Sequence, residues 1–429
     1  MADALKTSKF IYERLISMAN GPVIAMRSWN GELWGPSNAA ATIVLNHPGA
    51  LRALLLPPSD LTGGEAYIFN DVDIEGDIGE ALGFAADLQS NTAGRLASLS
   101  LLRQLRKLPA DNRRSVHGRP KKLGRRLHSK NRDEASVTAH YNTGNDFFRM
   151  FLDPAMVYSS AVFLDPDESL EVAQSRKLDL ICRKLQLEPG QRLLDIGCGW
   201  GALAIHAAEA YGAEVLGITL SAPQAELATA AARQAGVDDH VTFEVRDYRD
   251  VTGRYDAVSS IGMFEHVGKG QLATYFSSVQ RLLDAEGVFL NHGIVTRDRH
   301  IRRVTPTFVN TYVFPDGELV TVDEVIGEAE EAGFELRDVE SLRSSYALTL
   351  RHWLTSLEAN RGAALESVGE TTYRIWRLYM AGAAVAFDSS AISVYQMVLG
   401  GSDRSWTLGR HHLVANDERI KELSVIRSP

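Results

Sequence analysis

Leu193-Leu194-Asp195-Ile196-Gly197-Cys198-Gly199-Trp200-Gly201 is the stretch that decides the fold of this 429-residue chain. Its apolar start reads as a short strand ending near an acid. Gly197, Gly199 and Gly201 read as the turn that opens a helix at Ala202-Leu203-Ala204. Glycines at such a turn let backbone approach a ligand at the carboxyl end of a parallel strand, where open α/β sheets bind small molecules. The spacing here is G-x-G-x-G, whereas a dinucleotide site calls for G-x-G-x-x-G and an acid ending the next strand. That strand, Glu214-Val215-Leu216-Gly217-Ile218, runs instead into Thr219-Leu220-Ser221. A nicotinamide cofactor is disfavoured.

The pattern fits the S-adenosylmethionine turn of Rossmann-like methyltransferases better, with Asp195 at the end of the first strand. Outward from it, strands and helices alternate over 193–197, 202–211, 214–219, 223–235, 241–246, 255–260, 270–283 and 287–295, after a helix from Leu170 to Leu187. Such alternation predicts a doubly wound parallel sheet. Ile261-Gly262-Met263-Phe264-Glu265-His266-Val267-Gly268 follows the strand Tyr255–Ser260, so it belongs at the same sheet edge as the glycine turn. Phe289-Leu290-Asn291-His292-Gly293-Ile294-Val295 ends the next strand at that edge. Glu265 and His292 are therefore expected to converge there. A lone histidine in an apolar strand is an ordinary core residue; its pairing with Glu265 is what favours a function.

The composition sets bounds. With 45% apolar residues the chain can bury a large core and hold two domains, and its longest apolar runs fall short of a membrane span. Lys6-Thr7-Ser8 follows no signal peptide, and the two cysteines, Cys182 and Cys198, offer neither a disulfide framework nor a metal cluster. A reducing cytoplasm is the expected compartment. The formal charge of −9 is unevenly spread: residues 103–132 hold twelve Lys and Arg against one acid, Asp111, and the remainder carries −20.

That basic stretch divides the chain into an amino-terminal domain (1–102), a linker (103–132) and a catalytic domain (133–429). The first domain reads as α+β, with a helix over Lys9–Met18, strands at Val23–Met26, Ala41–Leu45, Tyr67–Phe69 and Val72–Ile74, a short helix after His47-Pro48-Gly49, and a last helix from Ile78 to Leu99. Its layout resembles the sterol-carrier-like lipid-binding domain preceding the catalytic part of some lipid methyltransferases; a packing or dimerisation module is the plainer reading. The linker has the charge of an anionic-surface binder, since each basic residue near an anionic membrane contributes roughly 1 kcal/mol. Nucleic acid is disfavoured because the stretch lacks interleaved aromatics for stacking and the rest of the protein is acidic.

In the catalytic domain a helix is expected over Asp133–Ala139. It leads to His140-Tyr141 and Gly144-Asn145-Asp146, then Leu152-Asp153-Pro154 and Tyr158-Ser159. With the 194–201 turn, Gly262-Met263-Phe264-Glu265-His266-Val267-Gly268 and Asn310…Phe314-Pro315-Asp316-Gly317, these motifs resemble the cyclopropane-fatty-acid synthases and mycolic-acid methyltransferases over about residues 133–400. The resemblance implies that Tyr158, Ser159, Asp195, Gly197, Gly199, Gly201, Thr219, Leu220 and Gln224 hold S-adenosylmethionine, with Asp247 and Tyr248 near its adenine. It also implies a bicarbonate ion acting as base, held by Ser160, Glu265, His292, Ile294 and Tyr346. The chain departs from the family pattern at two positions: Ser160 stands where cysteine is usual, and Ala383 stands in place of a carboxy-terminal cysteine.

Methyl transfer to an alkene leaves a carbocation, which aromatic faces stabilise in a dry site. Tyr141, Phe264, Tyr346 and Trp353 are the candidates. Residues 363–400 are expected to be helical, with Tyr373, Trp376, Leu378, Tyr379 and Met380 joining Tyr312-Val313-Phe314 as the wall of an acyl channel. The activity implied is alkylation of a double bond in the acyl chains of membrane phospholipids, giving a cyclopropane ring, by a protein peripheral to the inner membrane face. A mid-chain methyl or methylene branch, formed with a separate reductase, is the main alternative. A methyltransferase for RNA or a small polar substrate, and a lipid-binding protein without catalysis, are weaker ones. A homo-oligomer is compatible with all of them.

Overall fold

The computed structural model describes residues 2–92, 99–110, 130, 132, 143–298 and 307–401. Tyr141, the helix expected over 133–139 and the basic residues between 111 and 129 lie outside the described residues. Two compact units are present: Met1–Lys122 with Arg302–Pro315 and Arg361–Val385, and Leu123–Ile301 with Asp316–Asn360 and Ala386–Pro429. The linear division at 102 and 133 therefore misses two later stretches, 302–315 and 361–385, that belong with the amino-terminal residues.

The first unit carries a four-stranded sheet of β1 (Ala25–Arg27), β2 (Leu33–Trp34), β3 (Ala41–Leu45) and β4 (Val72–Gly76), in the order β2-β1-β3-β4. Helices Ala2–Ile16, Ala50–Leu55, Asp60–Ile68, Ile78–Thr92 and Leu99–Lys107 accompany it. Tyr67-Ile68-Phe69 is not a strand, contrary to the sequence reading. It closes the helix Asp60–Ile68, whose start is capped by the Ser59 hydroxyl accepting from the Thr62 amide at 3.0 Å. Capping and burial of Leu61, Ala66, Tyr67 and Ile68 outweigh the strand preference of the last residues.

Arg374 explains why 361–385 joins this unit. Its buried guanidinium donates to the Tyr67 carbonyl at 2.9 Å and the Asn70 side chain at 3.2 Å, and pairs with Asp73 and Glu370 at 3.0 Å each. It also lies 4.8 Å from the centre of the Tyr67 ring. Replacing a buried, fully bonded cation by Met strands several acceptors at once. Arg374→Met is expected to cost about 2 kcal/mol, speeding hydrogen exchange of the 66–76 amides by about 30-fold.

The second unit is built on a seven-stranded sheet: β5 (Arg192–Ile196), β6 (Glu214–Thr219), β7 (Val241–Val245), β8 (Tyr255–Ile261), β9 (Leu283–Thr296), β10 (Phe334–Ser341) and β11 (Ile392–Gly401). The order is β7-β6-β5-β8-β9-β11-β10, with β5 to β9 parallel and β11 antiparallel to both neighbours. The order reverses between β5 and β8, which opens the crevice at the carboxyl end of β5, directly over the glycine turn. Helix Leu170–Lys184 and helix Ala202–Tyr211 contribute Leu178, Ile181 and Ala204 to the core on one face, with Leu193, Leu290 and Val398 of the sheet. Phe264, Tyr275, Phe276, Phe289 and Phe334 fill the other.

The expected helix over 363–400 is corrected: the helical stretch runs Arg361–Asp388, broken at Gly369 (φ 76°), and Ile392–Gly401 is strand β11. Ser390, at φ 59°, ends the helix, and every residue from Ile392 to Gly400 then pairs with β9. Among the described residues no helix is long and apolar enough to cross a membrane.

Candidate active site

The glycine turn is left-handed at Gly197 (φ 79°), Gly199 (φ 55°) and Gly201 (φ 87°), a conformation that side chains with a Cβ resist. The three differ in what surrounds them. A Cβ at Gly199 would meet nothing within 4 Å, whereas one at Gly201 would lie 2.6 Å from Phe243 Cζ and 2.9 Å from Ala228 Cβ. Gly199 keeps the open approach a ligand needs, and Gly201 serves the packing of helix on sheet. Beneath the turn, the buried Asp195 carboxylate accepts from Ser259 Oγ at 2.7 Å. Burial raises its pKa to about 6, against the opposing pull of the Ser259 bond and the Lys177 charge.

At the tip of β6, Thr219 Oγ donates to Gln224 Oε1 at 2.8 Å and accepts from the Ser221 amide at 3.1 Å. The buried Gln224 Nε2 has no hydrogen-bond partner among the described residues. After β7, the Asp247 carboxylate is held by Arg249, which keeps it below the usual range despite burial. Tyr248 meets the Tyr275 ring edge-on at 5.6 Å. Ser159 is held twice from the helix Leu170–Lys184: Lys177 Nζ donates to its hydroxyl at 3.0 Å, and Gln174 Nε2 to its carbonyl at 2.9 Å. Lys177 is wholly buried, and burial lowers its pKa to about 8 while Asp153 and Asp195 pull the other way.

Of the acid–imidazole candidates, His292 lies on β9 and Glu265 in a short turn of helix, Phe264–His266, on the loop after β8. Gly262 donates its amide to the His292 carbonyl at 2.8 Å, closing the Gly262–Gly268 loop onto that strand. Glu265 Oε1 accepts from the Ile294 amide at 2.7 Å, so the carboxylate is tethered two residues beyond His292. The other oxygen, Oε2, has no hydrogen-bond partner among the described residues, nor has His292 Nε2. Burial raises Glu265 to about 7, with the Ile294 bond opposing. Burial, and then the charges of Lys177 and Lys184, hold His292 well below its ordinary range, so the ring is neutral. The Ile294 amide is thus engaged by the Glu265 carboxylate.

Ser160 is fully buried and its hydroxyl donates to the Ala161 carbonyl at 2.9 Å. The Ala161 amide in turn donates to Thr349 Oγ at 3.0 Å, on the same helix, Arg343–Ala359, as Tyr346 and Trp353. Aromatic rings link the glycine turn to that helix. Trp200 lies 5.1 Å from Phe148, Phe148 5.3 Å from Tyr158, Tyr158 5.2 Å from Trp353, and Trp353 6.1 Å from Tyr346, whose ring lies tilted 4.7 Å from Phe387. Trp200 Nε1 also donates to Asn145 at 2.9 Å, so the Gly144-Asn145-Asp146 motif is joined to the turn.

Residues 128–397 match the family model described as mycolic acid cyclopropane synthetase. The chain belongs to that family. It is thereby an S-adenosylmethionine-dependent methyltransferase of the cyclopropane synthase type. A probable fatty acid methyltransferase of Pseudomonas putida is 38% identical over 397 residues, covering 90% of this chain and 95% of that one. The cyclopropane-fatty-acyl-phospholipid synthase of Escherichia coli K12 is 40% identical over 272 residues, covering 63% and 69%. The crystal structure of mycolic acid cyclopropane synthase CmaA1 complexed with SAH and CTAB is 36% identical, with a TM-score of 0.59, over 62% of this chain and 97% of that one.

Around this methyltransferase turn the motif reading missed Gln174, Lys177, Lys184 and Gln396, all buried. In the sequence 174, 177, 181 and 184 fall on one helical stripe, and only once that stripe is known to be buried do its three polar side chains call for partners. The channel-wall candidates Phe314, Trp376 and Tyr379 lie together in the first unit, with Tyr379 5.6 Å from Phe314 and 6.0 Å from Trp376.

Proposed function

We propose that this methyltransferase alkylates the double bond of unsaturated acyl chains of membrane phospholipids, with a cyclopropane ring as product. The observation that carries this is that two buried polar atoms have no hydrogen-bond partner among the described residues: Glu265 Oε2, on the loop after β8, and His292 Nε2, on the strand β9 that pairs with β8. S-adenosylmethionine supplies an activated methyl group when bound. The residues present fit it: Gly199 leaves its approach open, and the Gln224 amide and the Ser159 hydroxyl provide donors. Tyr158, Trp353 and Tyr346 offer ring faces to the positive charge that grows on an alkylated chain, an interaction strengthened by the exclusion of water. Glu265, with a pKa near neutrality, holds a proton that can be shared with an adjacent anion, and the His292 N–H is a second donor to it. Bicarbonate is the anion the family resemblance implies.

A second reading, a mid-chain methyl branch, is favoured by the name of the P. putida relative, which matches the amino-terminal residues as well. Proton loss from the added methyl onto the neighbouring cationic carbon closes a ring; if a 1,2-hydride shift first moves the cation to the methylated carbon, loss of a methyl proton gives instead a methylene, which a separate reductase would saturate with a two-electron reductant. The test is the purified protein with S-adenosylmethionine and vesicles of monounsaturated phosphatidylglycerol. Fatty-acid mass spectrometry should show a gain of one CH₂, and proton NMR should show cyclopropane hydrogens. A vinylidene signal would replace the first reading by the second. Unchanged lipid in protein that binds S-adenosylhomocysteine would remove both.

Two further outcomes follow from the same reading. Gln224→Ala is expected to weaken S-adenosylhomocysteine binding by about 10-fold by calorimetry, the worth of one hydrogen bond in a buried site. Replacing Lys121, Lys122, Arg125 and Arg126 together with Gln is expected to reduce sedimentation with anionic vesicles at low salt. Not all of the basic stretch is available to a membrane: Arg132 is bonded twice to Asp316, at 2.6 and 2.7 Å, and Lys130 pairs with Asp250.

A further inference from the structure

His292 is one end of a buried polar chain that no motif contains. Gln396 lies directly opposite it in the β9–β11 register, and Gln396 Nε2 is 3.2 Å from His292 Nδ1. On the far side of the amide, Lys184 Nζ donates to Gln396 Oε1 at 2.8 Å. The ammonium also contacts the Glu340 carboxylate and lies 3.7 Å from that of Asp338, both on β10. His292, Gln396 and Lys184 are each at most 1% exposed.

The chain has a direction. An ammonium can only donate, so the amide must present its oxygen to Lys184 and its NH₂ to the imidazole. Nδ1 then accepts, and in a neutral ring the proton must sit on Nε2. Two carboxylates on β10 face the Lys184 amine from the other side, and its donation to Oε1 keeps the amide from turning over. Nε2 is the ring nitrogen that has no hydrogen-bond partner among the described residues.

We propose that Lys184 and Gln396 are positioning residues that lock His292 in its Nε2–H form, so that the imidazole presents a donor and not a base to the reacting site. This rests on the reading of His292 as part of that site. It assigns the imidazole the task of holding an anion in place, and leaves removal of the proton to the anion itself.

The test uses full-length protein saturated with S-adenosylhomocysteine and labelled with ¹⁵N-histidine, His292 being assigned from the spectrum of His292→Gln. Native protein should show a pyrrole-like Nε2 and a pyridine-like Nδ1. In Gln396→Glu the carboxylate accepts from Nδ1–H, so the pattern should invert and turnover should fall about 10- to 100-fold, with S-adenosylhomocysteine affinity unchanged. Gln396→Met, which adds no charge and approximates the volume, should give a mixed pattern and an intermediate rate. Should Gln396→Glu not fold, Gln396→Met decides alone. A protonated Nδ1 in the native protein would overturn the proposal, as would an inverted pattern with undiminished turnover. Full turnover in His292→Ala would instead remove the imidazole from the reaction, whatever tautomer it holds.

Discussion

Glu265→Gln is expected to lower turnover about 10²- to 10⁴-fold, the range for loss of a positioned proton-transfer group, while S-adenosylhomocysteine still binds. The same substitution should make the protein more stable at alkaline pH. The buried carboxyl titrates at about 7 in the fold, above its ordinary 4.5, because burial penalises the charged form more than the Ile294 amide rewards it. The folded state therefore holds this proton more tightly than the unfolded chain does. Stability falls as pH rises between those values, and above neutrality the full penalty, about 3 kcal/mol, is present. Glutamine carries no charge and its carbonyl can still accept from Ile294. Urea unfolding of the two proteins should thus coincide near pH 4 and separate progressively up to about pH 8, with the variant the more stable. A gap that does not widen with pH would mean that the carboxyl ionises without cost, and the shared-proton role would lose its basis.

Gly293→Ala should be nearly as damaging to turnover, by a different route. Gly293 sits between His292 and Ile294, and a Cβ there would lie 1.9 Å from Phe264 Cε1 and 2.4 Å from Cδ1. The Phe264 ring is packed in the core on that face of the sheet, so relieving the clash has to move the loop that carries it. One methyl group therefore displaces Phe264, and with it the neighbouring Glu265, from the Ile294 amide. A loss of about 1–3 kcal/mol in unfolding free energy is expected, together with a fall in turnover at unchanged S-adenosylhomocysteine affinity. Because the conflict is steric and local, Phe264→Leu in the Gly293→Ala background should recover part of both. A double variant no better than the sum of its single changes would show that Gly293 matters for some reason other than this ring.

The strand alternation also carries a negative result. By period two, residues on either side of Gly293 face away from Phe264, which puts His292 on the sheet face with Leu290 and the helix Leu170–Lys184. Lys177 and Lys184 reach the imidazole's field from that helix, and neither is visible in any motif. A lysine in a helical stripe reads as a solvated residue until the stripe is known to be inside.

What the amino-acid sequence determined by itself was whatever depends on neighbours along the chain. The left-handed glycine turn, the strands and helices from 192 to 296, the absence of an acid after β6, and the local motifs around Tyr158, Glu265 and His292 all follow from residue type and spacing within a few turns of chain. The tertiary structure alone decided the rest. It assigned two later stretches to the first unit: 361–385, with Arg374 reaching Tyr67 and Asp73 some 300 residues earlier, and 302–315, with the Phe308 amide donating to Asp60 and the Tyr312 hydroxyl to Glu65. It made 392–401 a strand by pairing it with β9, and it gave the Ile294 amide to Glu265. It also joined Lys184, Gln396 and His292 into one buried chain. Each of these is a contact between residues far apart in sequence. Its free energy is the balance between the cost of desolvating polar groups and the gain from pairing them in the packed interior, a quantity that no local spacing encodes.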